Sequence, residues 1–248
     1  MTAIINSGDL PIAGWYGKIP SLGDFASRRL PLDFIGIWDS WLQQAMATSR
    51  MQLGECWFSL YMTSPIWRFI LMPGICGNSL WAGILMPSVD KVGRCFPLMI
   101  AIPIMPHPGM LLTILSAQTW YASLERLALA SLNVDISPDD LDQKLAEYPF
   151  PGLHTSSRPV PGQEEKLASW WQIDSPAGLN NCQALSLPAA GLLPELFETA
   201  ADNLFTTLGF RKSIWWNVSP ETGATRLHCF TGLPPENHFA LLLSDGAP

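Results

Sequence analysis

SLWAGILMPSVDKVGRCFPLMIAIPI, residues 79–104, holds two apolar runs around a short polar insert. Ser79 to Ser88 and Phe96 to Ile104 are both of strand length, and SVDKVGR at 88–94 has the length of a hairpin turn. A second reading competes with this one. Residues 95–124 contain no Asp, Glu, Lys or Arg, a stretch long enough to span a bilayer as a helix. However, Pro97, Pro103, Pro106 and Pro108 fall in its first half, and prolines at that density do not make a continuous helix. The stretch is therefore read as a buried strand, a Pro-Gly turn and an amphipathic helix, with no stable membrane insertion.

Outward from there, Trp15 to Ile19 reads as a short strand, turned by Pro20, Gly23 and Asp24. Phe34, Trp38, Trp41, Leu42, Ala45 and Met46 recur at helical spacing, which predicts a first helix over roughly 31–49 with an aromatic buried stripe. Cys56 to Met62 fits helix or strand. Trp67 to Met72 reads as a buried strand ended by Pro73-Gly74. Leu111 to Leu132 reads as a second long helix, with Leu124, Leu127 and Ala128 inward and Glu125 and Arg126 outward. Ser137-Pro138-Asp139-Asp140 opens a third: a capping Ser, then Pro, then two acids in the first turn.

Residues 149–166 hold four prolines and no periodicity, and read as a loop or linker. Beyond it lie a strand candidate at 169–173, a helix at about 192–208, and the strand candidates SIWWNV at 213–218 and TRLHCFTG at 225–232. Asn237 to Leu243 fits helix or strand. Strands interleaved with helices, some at hairpin spacing, predict an α/β (α+β) domain with a mixed β-sheet flanked by helices.

Composition bounds the function. The 248 residues are 48% hydrophobic and only 14% charged, against the ~25% of an ordinary domain, so the chain folds rather than staying disordered. The net charge is −7 and no run of basic residues occurs, which argues against nucleic acid as a partner. Five cysteines without a CxxC argue against a disulfide framework and a zinc site. No secretory leader opens the chain, so a cytoplasmic protein with buried thiols is expected.

The chemical motifs mostly fail. Gly17-Lys18 is not a phosphate-binding loop: position 12 is Ile12 where glycine is needed, and Ile19 stands where a hydroxyl would meet magnesium. Ser79 lacks a nucleophile elbow because Trp81 occupies its second glycine position. His228 and Cys229 are neighbours, and on a strand neighbours point to opposite faces, so they are no dyad. Asp24 and Asp90 lie in turns and are placed to pair with Arg28, Arg68 or Arg94. Lys18, Asp24, Arg28, Arg68, Asp90 and Arg94 thus form a candidate cluster, either a structural ion-pair network or a partner-binding surface. Trp215 is a candidate exposed anchor, unless helices cover both faces of its strand.

Several blocks carry a resemblance. WYGKIPSLGDFASRRLP at 15–31, WDSWLQ at 38–43, TSPIWRF at 63–69 and MPSVDKVGRCFPL at 86–98 stand in the order of the TagF (ImpM) family of bacterial type VI secretion. SIWW at 213–216 and GLPP at 232–235 match more loosely. Cys95 before Phe96 is a mild departure, since relatives often carry an aromatic or aliphatic residue there. The resemblance implies a cytoplasmic protein that is not an enzyme and needs no cofactor. It implies a post-translational repressor that binds a forkhead-associated (Fha) scaffold protein. It also implies a longin-like N-terminal part with additional C-terminal strands and helices, in one TagF-type domain over 1–248. The phosphatase domain fused to some relatives is not expected before Pro248, and no catalytic residue carries over.

Two competing readings stay open on the residues alone. One is an enzyme or nucleotide-responsive switch with a Cys/His or acidic site. The other is a membrane-docked adaptor, suggested by the mean hydropathy of +0.18.

Overall fold

Seven strands form one antiparallel sheet in the computed structural model, which describes residues 11–105, 110–151, 208–219 and 222–244. The strands are β1 (Gly14–Gly17), β2 (Ala26–Arg28), β3 (Trp67–Leu71), β4 (Leu80–Met86), β5 (Leu98–Ile104), β6 (Lys212–Val218) and β7 (Thr225–Thr231). Their order is β2-β1-β5-β4-β3-β6-β7. The α+β class read from the sequence holds, and every described pairing is antiparallel where a mixed sheet was expected. The connections explain four of the six pairings: β1–β2, β3–β4, β4–β5 and β6–β7 are hairpin links too short for the crossover that parallel neighbours need. The apolar runs of residues 79–104 pair along their whole length, Leu80 with Ile104 through Met86 with Leu98.

The chain divides into two compact units. One comprises Met1–Pro106, Ala117–Gly152 and Gly209–Pro248, and holds the sheet. The other comprises His107–Ser116 and Leu153–Leu208. Its described part is the helix α3 (Met110–Ser116) with Leu208. The strand expected at 169–173, most of the helix at 192–208 and most of the linker at 149–166 lie outside the described residues.

In the sheet unit, side chains alternate between the two faces. Trp15, Ile100, Ile84, Arg68 and Trp216 stand in one row across five strands, and Gly14, Ala101, Gly83, Phe69 and Trp215 in the next. Helix α1 (Leu32–Leu53) covers the second row with the expected stripe, Phe34, Trp38, Trp41, Leu42, Ala45 and Met46, all buried. Trp38 lies 5.0 Å from Phe69 and 6.1 Å from Trp215, ring centre to ring centre, and Phe34 lies 3.8 Å from Trp81. Gly54, at φ 52°, ends the helix by donating its N–H to the Arg50 carbonyl.

The ambiguous segment after it is helical, α2 (Trp57–Thr63), and buries Trp57 and Tyr61. The first row faces α4 (Gln118–Ala130) and α5 (Pro138–Ala146). Trp216 meets Tyr121 of α4 at 5.1 Å, and the Trp15 indole donates to Asp142 of α5. Ser137 caps α5 as expected, in a reciprocal box with Asp140.

Two expectations are corrected. The helix predicted over 111–132 is two helices, α3 and α4, parted at Ala117, whose ψ of 46° leaves the helical region. No proline or glycine marks the break. Trp215 is not an exposed anchor: it is fully buried, because the aromatic stripe of α1 covers its face while α4 covers the other. The C-terminal segment is helical, a 3-10 turn (Glu236–His238) leading into α6 (Phe239–Ser244), which packs on α1 and α2. This segment and the residues just before it supply backbone acceptors to two core indoles: the Pro234 carbonyl to Trp41 at 2.8 Å and the Leu242 carbonyl to Trp67 at 2.9 Å. Among the described residues, no helix is long and apolar enough to cross a membrane.

Candidate functional site

The hairpin between β4 and β5 folds back on the loop after β1. Val89 bridges Cys95, and Asp90 and Gly93 close a tight turn, with Gly93 at φ 82°. Two hydrogen bonds then join the loops: the Lys91 backbone N–H donates to the Leu22 carbonyl, and the Arg94 guanidinium donates to the Gly23 carbonyl. Ser88 fastens the base. Its hydroxyl donates to the Lys18 carbonyl, and its backbone N–H and carbonyl both bond the Tyr61 hydroxyl. Gly17 sits at φ 140°, where an added Cβ would lie 2.2 Å from the Pro97 carbonyl oxygen. The first residue of Gly17-Lys18 therefore serves the close approach of β1 to the hairpin.

Asp90 is the centre of this arrangement. Its carboxylate is fully buried and accepts four hydrogen bonds. One oxygen takes Lys18 Nζ at 2.9 Å and Arg94 Nε at 2.6 Å; the other takes the N–H groups of Val92 and Arg94. Burial opposes its ionisation, but the bonds from Arg94, Lys18 and Val92 outweigh burial and hold the carboxyl well below the usual range.

The sign follows. An acid weaker in the unfolded chain (~3.9) than in the folded one contributes stability that is complete above that value and fades as pH falls through it towards the folded pKa. Asp90→Asn is therefore expected to lower the melting temperature at pH 7. Its deficit against the parent should shrink in scans below about pH 4.

The candidate cluster falls into four separate places. Lys18, Asp90 and Arg94 come together. Arg68 lies on the α4 face, buried, where it forms a two-pronged bond to Glu125 (Nε–Oε1 2.6 Å, Nη2–Oε2 3.1 Å) and donates to Gln118. Glu125, read as outward, is thus half-buried against the sheet. Arg28 makes an exposed pair with Asp139 at 3.3 Å. Asp24 bonds the N–H of Phe25 and does not join Asp90.

Phe25 is the surface feature that the sequence signal missed. It is 42% exposed, lies over Lys18 Nζ at 4.9 Å and packs against Phe96 at 4.7 Å. Its place as the closing aromatic of the β1 loop was the one hint.

This geometry does little chemistry. Lys18 is sequestered on Asp90, not offered to a phosphate. Burial pushes the Cys76 thiol up to about 12, with Asp33 adding to the rise, so it is no thiolate nucleophile near pH 7. His228 packs its ring against Trp67 at 5.3 Å. Among the described residues, no group of three or more His, Cys, Asp and Glu side chains is placed to hold a metal ion.

The family model for the TagF N-terminal domain, type VI secretion system-associated, matches residues 14–148. The chain belongs to the TagF family. The TagF match contains every member of the candidate cluster, whereas Trp215 lies beyond it. Among solved structures, the TagF chain is similar to PA0076 from Pseudomonas aeruginosa PAO1, at 29% identity and a TM-score of 0.67 over 93% of each chain. No curated protein matches it.

Proposed function

We propose that this TagF chain is a cytoplasmic, post-translational repressor of type VI secretion, acting by binding a forkhead-associated scaffold protein without catalysis or cofactor. The observation that carries the reading is the TagF match over residues 14–148, the family being a type VI secretion-associated domain. The disposition of the charges supports it. Lys18, the one cation of the first half that invited a phosphate-binding reading, is bound to Asp90 inside the fold, and Arg68 is bound to Glu125. The test is a secretion assay in a strain carrying the type VI machine. Overproducing the chain should abolish release of a secreted subunit, and deleting it should raise release, with transcript levels unchanged. Release that ignores both manipulations would overturn the reading.

A further inference from the structure

The sheet has two ends, and they are built differently. At one, β2 is three residues long and runs into Arg28-Arg29, with Arg29 at φ 59°, and then Leu30-Pro31. A short, charged strand stopped by proline keeps a sheet edge from pairing with another chain. At the other end β7, TRLHCFT, runs for seven residues. It holds no proline, glycine or lysine, and it pairs with β6 residue for residue without a bulge. Among the described residues no strand pairs with its far side.

The register shows which groups that far side offers. The N–H of Met72, just after β3, donates to the Lys212 carbonyl, so the even-numbered residues of β6 turn their backbone to β3. The Gly232 N–H donates to the Arg211 carbonyl and the Ser219 N–H to the Ala224 carbonyl, which extends the β6–β7 register at both ends with the same parity. Arg226, His228 and Phe230 therefore turn their backbone bonds to β6, while Thr225, Leu227, Cys229 and Thr231 direct their N–H and C=O groups outward. Those four are all exposed, Leu227 at 66%, and their side chains share the face of Ile214 and Trp216.

The outward set reads hydroxyl, apolar, apolar, hydroxyl, the same in either direction. Two β7 strands laid antiparallel about His228, the midpoint, overlap along their whole length. Leu227 of one copy then meets Cys229 of the other, and Thr225 meets Thr231. Each such pair exchanges two backbone bonds, about eight in all. An interface of standard size carries about ten. Any other centre that keeps these bonds shortens the overlap and sets threonine against Leu227 or Cys229.

We propose that β7 is the dimerisation edge of this protein: a second copy of the chain adds its own β7 antiparallel about His228 and joins the two seven-stranded sheets. Self-matching of this kind is what a two-fold contact demands. The proposal goes beyond the repressor reading and does not rest on it, so its test uses the chain alone.

Sedimentation of the full chain at about 100 μM should give a species of twice the 27.3 kDa chain mass. Leu227→Lys alters an exposed side chain and should melt within about 2 °C of the parent. Lysine on an edge strand opposes pairing, and the two-fold brings in two of them, so the dissociation constant of the dimer should rise at least ~30-fold. Leu227→Cys, made with exposed Cys56→Ser, tests the register. The introduced thiol lies opposite Cys229 of the other copy, with Cα atoms about 5.5 Å apart, inside the span of a disulfide. Diamide, which takes up the two thiol hydrogens, should then give a covalent dimer whose linked peptides join position 227 of one copy to Cys229 of the other. A parent that stays monomeric, a dimer indifferent to Leu227→Lys, or links that avoid this pair would each overturn the proposal. A monomer whose binding of scaffold is lost with Leu227→Lys would assign the edge to a strand of another protein, and would overturn it as well.

Discussion

Trp38→Ala is expected to destabilise the protein by about 4 kcal/mol, in the range for removing a large buried aromatic. Trp38 has no exposed surface and touches Phe34, Trp41, Phe69 and Trp215, so it joins α1 to β3 and β6 at once. Its indole N–H is buried and meets no acceptor among the described residues, so the loss is one of packing. Urea unfolding at 25 °C checks the figure, with Ile37→Ala as the control. Ile37 is one residue earlier but 44% exposed, and should change stability far less. A Trp38→Ala loss below about 1 kcal/mol would mean that α1 is not the lid of this face.

Arg68→Met is expected to cost about 3 kcal/mol, at the lower end of the range for breaking a buried pair, because Glu125 keeps 25% of its side-chain surface in contact with water. The substitution removes the cation that faces the Glu125 carboxylate, the donor to the Gln118 carbonyl, and the charge 5.3 Å from the Tyr121 ring. The double variant Arg68→Met/Glu125→Leu should recover most of that loss, since apolar replacements for a buried ion pair are often neutral. The double-mutant cycle measures the coupling directly. Additive losses would place Arg68 outside any pair with Glu125.

The aromatic stripe of α1 and the apolar runs on either side of SVDKVGR were plain in the sequence, because helix and strand periods write themselves locally. So was the α5 start at Ser137, whose box runs only from Ser137 to Asp140. The break at Ala117 was not, since alanine is the best helix former and gives no stop signal. Nor was the partner of Asp90. It lies next to Arg94 in the turn, as the spacing allows, but Lys18 reaches it across 72 positions, and Glu125 reaches Arg68 across 57. The period of α4 placed Glu125 on an outward face, and only the neighbouring strand shows why a carboxylate belongs there. Trp215 had the same difficulty: alternation gives its face, but the cover on that face comes from Trp38 and Trp41, far away in the chain.

This TagF chain is proposed to work by holding another protein. Calorimetric titration of purified scaffold into the purified chain, without nucleotide or metal, tests it most directly. The account predicts saturable heat with a defined stoichiometry. No heat at protein concentrations of about 100 μM, a range that reveals even weak encounters of micromolar dissociation constant, would contradict it.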